Sequence, residues 1–221
     1  MQELYSQTER AQAHSEEVSK VLRNTYTLLA MTFAFSALMA VVAIVANVPY
    51  MGLWMLLPYV AFLWLTEKNK NSSMGIVWVF ALTGWLGFTA GPIVGMVTAA
   101  AGIEPVLMAL GGTALIFFGL SGYVLTTRKD LSFMSGFLMT GLLVAFVAGI
   151  ANVFLGISGL GLAVSSMFLL LSSGVIAWYT SVIIHGGETN YISATVTLFV
   201  AIYNIFMSLL SLIMSFTGGD D

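Results

Sequence analysis

Seven apolar runs separated by short polar connections organise this chain: Thr25–Ala46, Met51–Leu65, Met74–Ala99, Ile103–Thr126, Phe133–Leu155, Leu160–Ile184 and Tyr191–Phe216. All but the second reach the roughly 20 residues that a helix needs to cross a bilayer core. The runs are long and lack period-two alternation, so helices are expected and not the strands of a barrel. The second run is short and holds Pro58. It is expected to tilt, to kink, or to extend through Tyr50. Short connections make successive helices antiparallel. The pattern predicts an all-α integral membrane protein, a seven-helix transmembrane bundle over residues 25–216.

Residues 1–24 are polar, with Glu3, Glu9, Glu16, Glu17, Arg10, Lys20 and Arg23 among them. Mixed charge without a long apolar run suits a disordered tail. A signal peptide would carry its apolar stretch near the start, so the first helix is expected to act as an uncleaved insertion signal. Residues 217–221 form a short C-terminal tail.

Composition supports the membrane reading. The chain is 59% hydrophobic and 8% charged, against about 25% charged residues in a soluble domain. Cysteine is absent, which removes disulfides, thiol nucleophiles and thiolate metal sites. His14 and His185 are the only histidines, too few for a multi-histidine metal site. No cofactor is expected. The net charge of −3 is small, and nucleic acid is not an expected partner. The lipid bilayer is, and no oligomeric state follows from the sequence.

Charge sets the orientation. Arg10, Lys20 and Arg23 precede the first run, Lys68 and Lys70 follow the second, and Arg128 and Lys129 follow the fourth. With seven crossings all these residues share one side, which the positive-inside rule assigns to the cytoplasm. The N-terminus is then cytoplasmic, the C-terminus periplasmic, and the connection after the sixth run cytoplasmic.

No ionisable residue lies well inside any run, so the titratable group that a proton-coupled transporter needs near mid-membrane is missing. Small residues recur instead at Gly87, Gly91 and Gly95, and at Gly141, Ala145 and Gly149. Such ladders let helices approach closely where lipid removes the hydrophobic drive between them. Pro92 within the first ladder is expected to kink its helix. Ser165, Ser166, Ser172 and Ser173 in the sixth run, and Thr195, Thr197, Asn204, Ser208 and Ser211 in the seventh, can bond across helices or back to a carbonyl. Tyr179, Asn204 and Ser208 mark a candidate polar face between these two helices.

The segment "HGGETN" reads as a turn with chemistry in it. Gly186 and Gly187 permit positive φ and can end the sixth helix. Thr189 or Asn190 can cap the seventh. Glu188 stands near that helix's N-terminus, where an anion is favoured, and His185 near the C-terminus of the sixth, where a cation is favoured. A local His185–Glu188 ion pair is a further expectation. No nucleophile, base and orienting group assemble here, so no enzyme is expected.

The stretch "SSGVIAWYTSVIIHGGETNYISATVTLFVAIYNIFMSLLSL" resembles the C-terminal signature of the Bax inhibitor-1 family. "VLRNTYTLLAMTFAFSA", "GFTAGPI", "ALGGTALIFFGLSGYVLTTRKDLSF" and "ANVFL" extend the resemblance from Val21 to Leu212. It implies a seven-helix inner-membrane protein with a central seventh helix. Some members conduct calcium and respond to pH through two aspartates, in "YDTS" and "YLDIYN". The matching positions here are Tyr179 in "WYTS" and Ala201 in "FVAIYN". A tyrosine, titrating near pH ~10, and an alanine cannot share a proton near neutral pH as two apposed carboxylates do. The resemblance therefore points to another branch, whose members bind the ATP-dependent membrane protease FtsH and modulate its action on other membrane proteins.

The charge pattern is tested by fusion reporters. A reporter after Lys70 should be active only in the cytoplasm, and one after Asp221 only outside it. A cytoplasmic signal after Asp221 would mean that one run does not cross.

Overall fold

The computed structural model describes the backbone of residues 2–217, and side chains from Ser15 onward apart from Ser158. Seven α-helices follow one another: α1 Gln2–Val45, α2 Leu56–Asn69, α3 Ser73–Ala101, α4 Glu104–Thr127, α5 Ser135–Leu155, α6 Ser158–Ile184 and α7 Tyr191–Thr217. Single 3-10 turns precede α2, at Gly52–Met55, and α5, at Ser132–Met134. Six helices are long and apolar enough to cross a membrane. The exception is α2, whose 14 residues span only about 21 Å of a core about 30 Å thick. Pro58 does not kink it. The residue sits in the first turn, where its missing N–H leaves no helical bond unmade.

The start of the first helix differs from expectation. No backbone break separates a tail from Thr25, because α1 is helical from Gln2. Residues 2–45 contain neither Pro nor Gly, and the polar part is rich in Glu, Gln, Ala, Lys and Arg, all strong helix formers. The expected tail at 217–221 falls, beyond Thr217, outside the described residues.

At the centre stands α7. It packs against α1, α3, α4 and α6 and touches α2. Phe199 and Ile205 on α7 are buried in one apolar core with Leu29 of α1, Leu86 of α3, Phe117 of α4 and Ile176 of α6. Phe33 of α1 stacks on Phe199 at 4.7 Å between ring centroids. Outside this set, α2 leans on α3 and α5 on α6.

Both small-residue ladders serve helix packing. A Cβ at Gly87 would stand 2.1 Å from the Ser36 carbonyl oxygen, and one at Gly91 2.6 Å from that of Ala40. The third step is looser, since a Cβ at Gly95 meets Ile44 only at 3.6 Å. On the other side a Cβ at Gly141 would meet Leu171 of α6 at 2.7 Å, and one at Gly174 of α6 would meet Leu138 of α5 at 2.6 Å. The hydroxyls that face lipid or core mostly donate back to the preceding turn, as Thr32 does to the Leu29 carbonyl and Thr83 to that of Val79.

This geometry ranks two conservative substitutions. Gly87→Ala should lower stability by about 1–3 kcal/mol through overpacking against a backbone atom, whereas Gly95→Ala should be neutral within about 0.5 kcal/mol. Thermal unfolding in mild detergent separates them. Equal midpoints would show that α1 and α3 can part without cost.

Candidate functional site

The connections after α2, α4 and α6 gather at one end of the bundle, where hydrogen bonds tie them together. At its centre is Asn190. Its side-chain oxygen accepts from the backbone N–H groups of Ile192 at 2.9 Å and Ser193 at 3.2 Å, which caps α7. Its side-chain nitrogen donates to the Lys70 carbonyl at 3.0 Å and to Asn71 Oδ1 at 2.9 Å. One amide thus holds the start of α7 to the α2–α3 connection. Thr189, the alternative cap, is not used.

Glu188 closes the same turn. Its Oε1 accepts from the Asn190 N–H at 2.7 Å, and its Oε2 accepts from the Tyr179 hydroxyl at 2.7 Å. The α2–α3 side supplies a second carboxylate, Glu67. It accepts from the Ser193 hydroxyl at 3.1 Å and pairs with the Lys70 ammonium. That hydrogen bond and the Glu67 charge push the Lys70 pKa above its ordinary value.

The expected His185–Glu188 ion pair does not form. Glu188 is turned to Tyr179 and Asn190, and His185 Nδ1 lies 2.8 Å from the Ser181 carbonyl of its own helix. Both polar ends thus find partners nearer than each other. Gly186, at φ 74°, makes the left-handed turn that ends α6, and Gly187 donates its N–H to the Val182 carbonyl at 2.9 Å. Gly187 itself needs no positive φ.

A second bridge crosses from α6 to the α4–α5 connection. Ser181 Oγ donates to the Lys129 carbonyl at 2.9 Å and accepts from the Leu131 N–H at 3.0 Å. Beside it the Asp130 carboxyl is held below its usual range by hydrogen bonds from the Ser132 N–H and hydroxyl. Glu67, Asn71, Ser181 and Ser193 were not among the expected site residues. Glu67 was submerged in the basic run around Lys68 and Lys70, and Ser181 carries no signal beyond its place next to Tyr179.

The expected polar face of α6 and α7 is only partly assembled. Tyr179 joins the network, but Asn204 lies 14 residues beyond Asn190, about 21 Å along α7. Ser208 is buried a further turn along. Among the described residues a side-chain bond between the two helices forms at the opposite end, Ser165 Oγ to Ser211 Oγ at 3.2 Å. Ala201 is buried in the apolar core. Among the described residues no three His, Asp or Glu side chains gather as metal ligands.

Six membrane-length helices locked at one end by a polar network define a multi-pass membrane protein. Residues 18–218 match the family described as "Inhibitor of apoptosis-promoting Bax1", and the chain belongs to that family. It is 52% identical over 202 residues to the Escherichia coli K12 protein named "Modulator of FtsH protease YccA", covering 91% of this chain and 92% of the relative. An uncharacterised protein of Pseudomonas aeruginosa is 50% identical over 223 residues and 100% of both chains. A membrane protein of Vibrio cholerae is 42% identical over 207 residues, 92% of this chain and 93% of the relative.

The two roles of Asn190 separate by substitution. Asn190→Ser should keep the α7 cap and lose the tie to Lys70 and Asn71. Asn190→Ala should lose both, costing about 1 kcal/mol more for the cap. Amide hydrogen exchange reads this directly: faster exchange at Ile192 and Ser193 is expected in the alanine variant only. Faster exchange there in both variants would mean that the cap depends on the tie.

Proposed function

We propose that this protein is an inner-membrane regulator that binds the protease FtsH and modulates its degradation of other membrane proteins. The observation that carries the reading is the 52% identity, over nearly the full length of both chains, to a protein named as a modulator of that protease. The physical features suit it. The bundle presents no assembled catalytic set among its described residues, and its core is closed by backbone-level helix contacts that resist extraction. The family's ion-leak role fits less well. Tyr179 is bonded to Glu188, and Ala201 is buried among apolar side chains, so no carboxylate pair stands at those positions.

The topology that goes with this reading has seven crossings, with residues 1–24 starting in the cytoplasm and the end of α7 facing the periplasm. Seven crossings need α2 to span. Its own length is short, but with the 3-10 turn before it the pair reaches about 29 Å, close to the hydrocarbon thickness. Charge supports the same count. Lys68 and Lys70 lie at the bundle end that also holds Lys129 and the start of α7, as the positive-inside rule requires.

Two measurements test the role. Tagged protein solubilised in mild detergent should co-purify with FtsH, and a short-lived membrane substrate of FtsH should persist longer when this protein is abundant. Deleting Gln2–Ser19 should lengthen the protein's own half-life in cells containing FtsH and not in cells lacking it, while Lys20 and Arg23 preserve orientation. Co-purification with unchanged substrate turnover would reduce the role to that of a substrate. No association at all would remove the reading.

A further inference from the structure

The helices α1 and α4 flank α7 without packing along each other. Between them lies an open cavity of about 680 Å³. Its floor is Phe199 and Ile202 of α7, and its walls are Phe33 and Ala37 of α1 with Ala114 and Phe118 of α4. The floor is sealed and the rim is not: Phe199 is 1% exposed, Phe118 69%. The opening therefore faces sideways, toward lipid.

The dimensions decide between occupants. Along α1 the lining runs from Tyr26 to Ile44, about 27 Å at 1.5 Å per residue. Spread over that length, the 680 Å³ that the centre of a water molecule can reach corresponds to a channel about 8 Å wide from wall to wall. A helix with its side chains, about 10–12 Å across, is wider. A single hydrocarbon chain, with carbon contacts at about 4 Å, fits. In lipid an empty groove forfeits the dispersion contacts of its lining, so a chain that fills it is favoured.

The groove is lined almost wholly by carbon, and Tyr26 closes one end of it. Its ring packs against that of Phe117 at 5.9 Å between centroids, and its hydroxyl is buried away from the opening. The lining positions Tyr26, Ala30, Phe33, Ala37 and Ile44 recur at helical spacing on one face of α1. Arg23 is the next in that series and Lys20 lies a turn further on; both are exposed. Neither is in an ion pair with a described residue, where Lys70–Glu67 is the pair formed.

We propose that the α1–α4 groove is a binding site for an anionic membrane phospholipid, with one acyl chain in the groove and its phosphate on Arg23 and Lys20. The order of groups along α1 matches the order along the lipid: charge, then an apolar channel. The second acyl chain stays in the bilayer.

The test uses the full chain in nanodiscs containing phosphatidylglycerol and phosphatidylcholine, each spin-labelled in turn near the chain end. A motionally restricted population that prefers phosphatidylglycerol is expected. Arg23→Gln should weaken that preference about fivefold, the effect of one basic residue near an anionic headgroup. Ala37→Phe should abolish the restricted population by filling the groove, with circular dichroism confirming the fold. Should that variant not fold, the exposed Arg23→Gln change still decides. A benzophenone side chain placed at Ala37 should crosslink to lipid. An unchanged preference in Arg23→Gln would overturn the proposal. So would a restricted population surviving in folded Ala37→Phe, or a crosslink from position 37 to a second copy or to another protein's helix.

Discussion

The backbone of α1 lies against the backbone of α3, and the remaining arrangement depends on that approach. Glycine is required where the Ser36 and Ala40 carbonyls come within 2.1 and 2.6 Å of the Cβ positions of Gly87 and Gly91. Lipid tails are as apolar as the helices, so burial of apolar surface does not drive this contact; fit does. With α1 drawn onto α3, its adjoining face stands away from α4, and α7 fills the space behind. Ser36, Ala40 and Gly87 belong both to the tight contact and to the wall of the sideways groove, which therefore runs beside that contact.

Much of the fold was legible because membrane helices announce themselves by length. Each long apolar run corresponds to a helix, and the short second run to the short α2. The upstream start of α1 was not legible from hydropathy. A helix built from Glu, Gln, Ala and Lys has the same polarity as a disordered tail and differs only in propensity. At the candidate site, the Asn190 cap and the Gly186 turn follow from local rules, and both formed. The partners of Asn190 at Lys70 and Asn71 lie about 120 positions away in sequence, where no local rule reaches. The His185–Glu188 pair failed because Glu188 found Tyr179, a residue visible only once α6 and its following turn are folded back on each other.

Tyr179 makes the contact that closes the α6–α7 turn. Tyrosine at position 179 is long enough to reach the carboxylate of the turn below and donate to it. Ala201, deeper along α7, is buried in the apolar core. The polar contacts of Tyr179, Ser181 and Asn190 thus lie at the basic end of the bundle, where they join three connections to one another.

The order of helices along the chain also bears on mechanics. The least embedded helix, α5, leans mainly on α6 and lies in the interior of the sequence. The helices nearest the two ends, α1 and α7, are the ones pressed backbone to backbone on α3 or enclosed on several sides. A pull entering through α1 or α7 is loaded at once onto the close α1–α3 approach at Gly87 and Gly91 or onto the several neighbours of α7. The α5–α6 contact, interior to the sequence, is loaded only after one of these outer contacts has failed.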